Sequence, residues 1–349
     1  MWPEHPVVQE DLERVCSTAG IPWQSLHGKD VLVTGATGLI GRALVKALLW
    51  YSLQHDHAVR VIAVVRDVAK ARSRFSGALE TGAPLSLVHG DVSALPPLDG
   101  TVDFVVHGAS ATASRDFVSR PVDVIRTALH GTEQVLELAR TQRVTSVVYL
   151  SSMEVYGVPD GSRRIGESDF QGFDPMLLRS SYPESKRMAE ALCAAYAGQH
   201  GVPAKVLRLA QTFGPGVDRD DQRLFAQFAR AAVEGRDVVL HTSGETERSS
   251  LYTSDAVSAI LTVLLRGGDG EAYNAANEET YRSVRATAEL VARTCGPTPV
   301  RVRMEPQELA TSGYAPTLKM DLDTAKLRSL GWRPSVGLAE MYRRTAAVL

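Results

Sequence analysis

The sequence predicts an α/β fold: a doubly wound parallel sheet followed by a smaller α/β lobe. Three observations carry this. Short apolar, β-branched runs alternate with helix-period segments over the first two hundred residues. That alternation points to parallel strands joined by helical crossovers, with both faces of the sheet covered. The first run breaks into three glycines and opens directly into a helical pattern. After Gly214-Pro215-Gly216 the texture changes to polar loops, short strands and further helices.

In chain order, residues 1–28 read as an N-terminal helical extension, with amphipathic spacing from Val7 to Cys16. Strands are expected at Val31–Thr34, Arg60–Val65, Leu85–His89, Val102–His107, Val144–Ser151 and Ala204–Leu209. Helices are expected at Leu39–Leu53, Val122–Arg140 and Pro183–Gln199. Beyond them come short strands at Val238–His241, Ala272–Ala275 and Val300–Val302. Helices at Arg223–Glu234, Ser254–Leu265, Ser283–Cys295, Leu322–Leu330 and Leu338–Ala347 complete the chain. Residues 29–213, together with 237–265, are read as the large domain, and 214–236 with 266–349 as the substrate-binding lobe.

Composition narrows the class. The 38 basic and 40 acidic residues nearly cancel, so no global field favours nucleic acid or an anionic membrane. Cys16, Cys193 and Cys295 lie far apart and match no metal-ligand spacing, which suits reduced thiols and gives no metal site. The acidic N-terminus lacks a signal-peptide pattern, and no apolar run is long enough for a membrane span. A cytoplasmic protein with a small-molecule substrate is the expectation.

The stretch Val31-Leu32-Val33-Thr34-Gly35-Ala36-Thr37-Gly38-Leu39-Ile40-Gly41 has the layout of a dinucleotide phosphate site. Gly35 permits the tight turn, Gly38 lets the backbone approach a pyrophosphate, and Gly41 lets the helix pack on the strand. The pyrophosphate is then cradled by Thr37, Leu39 and Ile40 at the helix N-terminus, where unpaired N–H groups favour an anion. Residues 29–213 are therefore the dinucleotide-binding domain. At the end of the second strand an acid would bind the adenosine ribose of NAD, whereas a basic residue accommodates the 2′-phosphate of NADP. Arg66 holds that slot and Asp67 follows one position late. NAD is the expected cofactor, with NADP the alternative that Arg66 raises. Asp91 and Val92 after the third strand, and Gly108, Ala109 and Ser110 after the fourth, are assigned to the same pocket. Asp91 is suited to the adenine amino group or to capping its own turn.

Tyr182 and Lys186 stand four apart at the start of a helix, so both project from one face. A phenol titrates near 10, which makes it a poor base at neutral pH, and a neighbouring ammonium together with the positive nicotinamide ring stabilises its anion. Lys186 can also hold the nicotinamide ribose hydroxyls. Ser152 ends the fifth strand and can hydrogen-bond the substrate oxygen from which Tyr182 takes a proton. His107 and His130 are read as structural.

The glycine loop, the strand-end serine and the Tyr-x-x-x-Lys pair resemble the extended short-chain dehydrogenase/reductases. These include the nucleotide-sugar epimerases, dehydratases and UDP-glucuronate decarboxylases. The likeness covers nearly the whole chain beyond residue 28, through residues 151–157, 179–187, 207–216 and 248–255 with Arg223. It implies a Rossmann fold, a homodimer built through helices of the large domain, and transient oxidation of a sugar hydroxyl, commonly at C4. It also implies that Arg223 and Arg248 grip a nucleotide diphosphate, as guanidinium–phosphate chemistry allows. Gln211 would touch sugar or phosphate, and Met153 and Arg179 would line the sugar pocket. Two departures mark a specialised branch: Arg66 itself, and Ala128 where the wider superfamily often has Asn.

Glu154, two residues after Ser152, can act as a base beside a C4 ketone or orient the sugar. In 4,6-dehydratases the preceding position commonly carries Asp to protonate the departing hydroxyl. Here Met153 donates nothing, which argues against standard elimination. The expectation is therefore a redox-neutral epimerase, with decarboxylase or dehydratase as alternatives. An NADPH-dependent keto-sugar reductase ranks lower, and a non-enzymatic dinucleotide sensor is disfavoured by the tyrosine–lysine pair.

Overall fold

The structure, a computed structural model, describes residues 2–3, 5–56, 58–305 and 317–349. Its strands are β1 (Lys29–Thr34), β2 (Val59–Val65), β3 (Leu85–His89), β4 (Phe104–His107), β5 (Ser146–Ser152), β6 (Ala204–Leu209), β7 (Gln211–Phe213), β8 (Val238–Leu240), β9 (Glu247–Tyr252), β10 (Ala272–Ala275), β11 (Asn277–Ser283), β12 (Val302–Met304) and β13 (Lys319–Met320). Its helices are α1 (Pro6–Cys16), α2 (Leu39–Gln54), α3 (Val68–Arg74), α4 (Ser76–Glu80), α5 (Ser114–Ser119), α6 (Pro121–Gln142), α7 (Ser181–His200), α8 (Leu224–Val233), α9 (Thr253–Arg266), α10 (Val284–Thr294), α11 (Ala325–Ser329) and α12 (Leu338–Ala346).

A seven-stranded sheet runs in the order β10-β6-β5-β4-β1-β2-β3, with every pairing parallel. Its central strands are almost continuously apolar because both faces are covered. The pleat sends alternate residues to opposite sides. Val31 and Val33 enter a core shared with Leu44 and Leu48 of α2 and Ile260 of α9, while Leu32 joins Val135 of α6 and Cys193 of α7 in another. Strand order reverses at β1 and β4, whose ends meet in register at Thr34 and His107. In open α/β sheets a ligand crevice forms at such a reversal, outside the strand carboxyl ends.

His107 supports that crevice from below. Its ring is buried, with Nδ1 2.7 Å from Thr34 Oγ1 and Nε2 3.2 Å from Thr132 Oγ1. Burial pushes its pKa down to about 3, so it is neutral and serves as a hydrogen-bonding strut.

A smaller sheet is centred on β9, which pairs with β7, β11 and β13, and β8 pairs with β12. Phe213, Phe225, Phe228, Tyr252 and Tyr342 fill the core beneath it. Ala272–Ala275, read from sequence as part of this lobe, instead forms the seventh strand of the large sheet, parallel to β6. Its four residues are too short to show which sheet they serve; the buried helix α9 delivers them back to the β6 edge. The N-terminal helix α1 is tied to the far end of the chain. Arg344 donates to Asp11 at 3.0 Å and to Glu10 at 2.8 Å, and Tyr252 donates to Asp11 at 2.7 Å.

Beneath β5 lies a buried ion pair. Arg208 of β6 donates to both oxygens of Glu190 on α7, Nη2 at 2.6 Å, and Ser151 donates to the same carboxylate at 2.5 Å. Removing one partner of such a pair leaves an uncompensated buried charge. Arg208→Met should therefore cost about 3–5 kcal/mol in urea unfolding. A loss under about 1 kcal/mol, the scale of exposed ion pairs, would show that the pair does not hold α7 to the sheet.

Candidate active site

The glycine loop closes the crevice by contact that only glycine tolerates. Gly35 lies at φ +70°, and a Cβ there would stand 2.6 Å from the Gly108 carbonyl. At Gly41 a Cβ would stand 2.3 Å from Gly35 O. Gly38 is the N-cap of α2 and has no side chain to satisfy the first-turn N–H groups. Those donors face the switch point, which is the chemistry a pyrophosphate needs. The residues present therefore fit a dinucleotide.

The other members assigned to the pocket are placed as follows. Ala109 donates its N–H to Thr34 Oγ1 at 3.3 Å, and Ser110 donates to Ala111 O at 3.2 Å. Leu39 packs against the core of the smaller lobe and Ile40 against that of the large sheet. Val92 is buried, and at Gly131 it leaves no room for a Cβ, so α6 approaches closely. Asp91 is exposed and accepts the Ser93 N–H at 2.8 Å, so its carboxylate caps that turn. Arg66 is exposed at the end of β2. Arg74 was not anticipated: it donates to Thr37 O and reaches Asp218 at 2.7 Å, strapping the loop to the smaller lobe. Nothing in its neighbourhood in the sequence signals that role.

β5 and α7 bring the reactive groups together. Ser152 ends β5, and its Oγ accepts the Glu154 N–H at 3.2 Å. Tyr182 and Lys186 occupy the first turns of α7, and both are buried, at 8% and 3% exposure. Tyr182 stacks on Phe117 of α5, ring centroids 4.2 Å apart at 9°. Lys186 Nζ donates to Leu150 O at 2.8 Å and lies 4.6 Å from the centre of the Tyr149 ring. Burial lowers the Lys186 pKa to about 8, opposed chiefly by Glu190. Tyr182 moves the other way. Burial and then the Glu154 charge raise the phenol, against a hydrogen bond to Ser152 and the charges of Arg179 and Arg223. With protein groups alone, desolvation dominates the phenol.

The residues assigned from sequence to a sugar pocket lie on several elements. Arg179 pairs with Glu154 at 2.9 Å and lies 5.0 Å over the Phe117 ring. Met153 is half-buried against the main core. Arg223 is held by Asp221, Nε 3.0 Å from each oxygen, and Arg248 is half-buried on β9. Burial lowers the Arg248 pKa, opposed by Tyr342 and Glu154, so the Glu154 charge reaches β9 as well. Gln211 pairs in register with Ser250, two residues along β9 from Arg248. The partners Phe117 and Asp221 carry no motif that would have singled them out.

Residues 31–276 match the model of the NAD dependent epimerase/dehydratase family. The UDP-glucuronic acid decarboxylase 6 of Arabidopsis thaliana is 32% identical over 317 residues, covering 89% of this chain and 85% of that protein. The solved dTDP-glucose 4,6-dehydratase DesIV of Streptomyces venezuelae, which has NAD bound, is 26% identical with a TM-score of 0.74, covering 91% and 96%. A UDP-N-acetylglucosamine 4-epimerase from Methanobrevibacter ruminantium shares the fold at TM-score 0.76 and 19% identity, covering 92% and 97%.

Two outcomes follow from the geometry. Tyr182→Phe keeps the stack on Phe117, so its melting temperature should hold while kcat falls by about 10²–10⁴; a near-normal rate would remove Tyr182 from proton transfer. Lys186 is charged below about 8 and neutral above. A turnover that depends on its ammonium should show kcat/KM falling as pH rises through that value, and a flat profile from 7 to 9.5 would contradict that role.

Proposed function

The chain belongs to the NAD dependent epimerase/dehydratase family, and on that premise we propose that it binds NAD and acts as a redox-neutral epimerase of a nucleotide-linked sugar. Bound NAD would supply the hydride acceptor that later gives the hydride back to the ketone's other face, and the glycine loop with Gly108–Ser110 would hold it. Ser152 Oγ takes the carbinol oxygen, and Tyr182 removes its proton. Lys186, charged at neutral pH, orients the ribose and favours the phenolate. After the ketone has turned its other face, the same tyrosine oxygen returns the proton. Arg223, Arg248 and Gln211 hold the diphosphate end.

One observation carries the choice of reaction. Glu154 is engaged by Arg179 at 2.9 Å, and the residue between it and Ser152 is Met153. Glu154 is thus engaged and Met153 has no proton to give, which supports a reaction without elimination.

A second reading, decarboxylation of a nucleotide uronate, draws on a different feature. Arg179 pairs with Glu154, and the charges of Arg248 and of Arg223, itself held by Asp221, reach the same region; the matched Arabidopsis protein is a UDP-glucuronic acid decarboxylase. With C4 oxidised, the C5–C6 bond breaks, carbon dioxide leaves, and its electron pair passes to the ketone oxygen. That step needs no acid at residue 153.

The purified protein should be incubated with UDP-, dTDP-, GDP-, CDP- and ADP-sugars, including uronates, and the products read by mass spectrometry and NMR. A mass-neutral isomer is expected. Loss of carbon dioxide from a uronate would establish the second reading instead, and no turnover of any nucleotide sugar would sink both.

Assembly as a homodimer is part of the same proposal. Val122 and Ile125 on α6 and Met188 on α7 are exposed at 55%, 38% and 54%. Sedimentation velocity should give a dimer, and Ile125→Glu should shift it to monomer; a wild-type monomer would refute this.

A further inference from the structure

The segment between β7 and α8 is tied to the nucleotide side of the crevice. Arg74, at the end of α3, donates through Nη2 to both oxygens of Asp218, at 2.8 and 2.7 Å. Its Nη1 donates to Thr37 O in the glycine loop. Arg42, in the first turn of α2, donates to Gly216 O and lies 3.8 Å from the Asp218 carboxylate. Gly216 has φ +100°, and a Cβ there would stand 2.8 Å from the Arg42 guanidinium, so this approach needs glycine. Arg74 and Arg42 keep 15% and 16% of their side-chain surface, whereas Asp218 keeps 47%. Two mostly buried cations therefore converge on one carboxylate, and water replaces it poorly.

Beyond Asp218 the segment is braced from within. The Asp221 N–H donates to Asp218 O at 3.0 Å and closes a turn. The Asp221 carboxylate in turn accepts the Arg223 N–H at 2.8 Å and its Nε at 3.0 Å. Arg230 of α8 donates to the carbonyls of Arg219 and Asp221, at 2.8 and 2.7 Å. Residues 218–223 and the start of α8 thus form one braced body, which carries Arg223 as the N-cap residue of the helix. Asp218 is the side chain through which that body meets Arg74 and Arg42.

We infer that Asp218 is a positioning residue: clamped by Arg74 and Arg42, it fixes Arg223 relative to the glycine loop for the grip on the diphosphate of a nucleotide sugar. The inference rests on the role of Arg223 proposed above. A guanidinium binds a diphosphate through paired, directional N–H donors, and affinity falls when the backbone bearing it must be ordered at the moment of binding. The clamp on Asp218 provides that order in advance.

The test is calorimetric titration of the full-length protein, saturated with NAD, with UDP, dTDP, GDP, CDP and ADP, continued with whichever binds tightest. Arg223→Ala should weaken that diphosphate by about ten- to a hundredfold, the scale of charge-assisted bonds. Asp218→Ala should weaken it by about tenfold. Asp218→Asn keeps one acceptor for Arg74 and guards against misfolding of the alanine variant; it should weaken the diphosphate by about threefold. In the Arg223→Ala background either change at Asp218 should add less than about twofold, because a residue acting through another has no further effect once that other is gone. A separate NAD titration of the nucleotide-stripped protein should shift by about twofold or less in Asp218→Asn. Diphosphate binding unchanged in Asp218→Asn and Asp218→Ala, losses that multiply in the double variants, or NAD weakening in step with the diphosphate would overturn the inference and leave the role of Arg223 standing. If Arg223→Ala changes nothing, or no nucleoside diphosphate binds, the reading of Arg223 itself falls and this inference with it.

Discussion

The structure depends on one close approach, the contact of the β1–α2 turn with the end of β4. Gly35 rests against the Gly108 carbonyl, and Gly41 rests against Gly35. Any side chain at Gly35 or Gly41 would prise the turn off the sheet, and the first-turn N–H groups of α2 would no longer face the crevice. The neutral His107 and Thr34 hold the same point from the core side. Everything the protein does with a ligand is measured from that contact, because β5 lies next to β4 and carries Ser152, and α7 packs on β5 with Tyr182 and Lys186.

Within the site, burial and charge oppose each other. Desolvation pushes the Tyr182 phenol up and the Lys186 ammonium down, so both groups resist the ionised form that proton transfer needs. The protein's counterweights are Glu190 beneath Lys186 and the arginines around Tyr182. Such a balance makes the phenol responsive to added positive charge nearby, since a poorly solvated group feels each charge more strongly than one in water. Glu154 illustrates the converse: its negative charge raises the phenol even though Arg179 pairs with it at 2.9 Å.

Much of this was legible in the sequence, for physical reasons. The parallel sheet announced itself because strands buried on both faces must be largely apolar, as Phe104–Val106 of β4 and Val147–Leu150 of β5 are. The glycine turn and the Tyr182–Lys186 spacing were legible because backbone space and helix periodicity fix residue type and interval. Contacts between distant segments were not. Arg74 reaches Asp218 across 144 positions, and Glu154 meets Arg179 across 25 positions of sequence, with no periodicity to join them. The desolvation of Tyr182 was not legible for a related reason: the depth of burial is a property of the packed fold. Ala272–Ala275 is the same lesson in secondary structure, four residues whose sheet is decided by where α9 leaves the chain.

That late strand bears on how the polypeptide emerges from the ribosome. β6 is complete at Leu209, yet its neighbour β10 begins only at Ala272. At roughly 5–20 residues per second the interval lasts several seconds, during which the nascent sheet presents an open hydrogen-bonding border. Such a border invites a foreign strand, and inward-pointing charge is one of the ways proteins discourage it. β6 carries two cations that end up buried, Lys205 and Arg208. Before β10 docks, an intruding segment would have to desolvate both, so the same residues that brace the finished sheet guard its unfinished margin during synthesis.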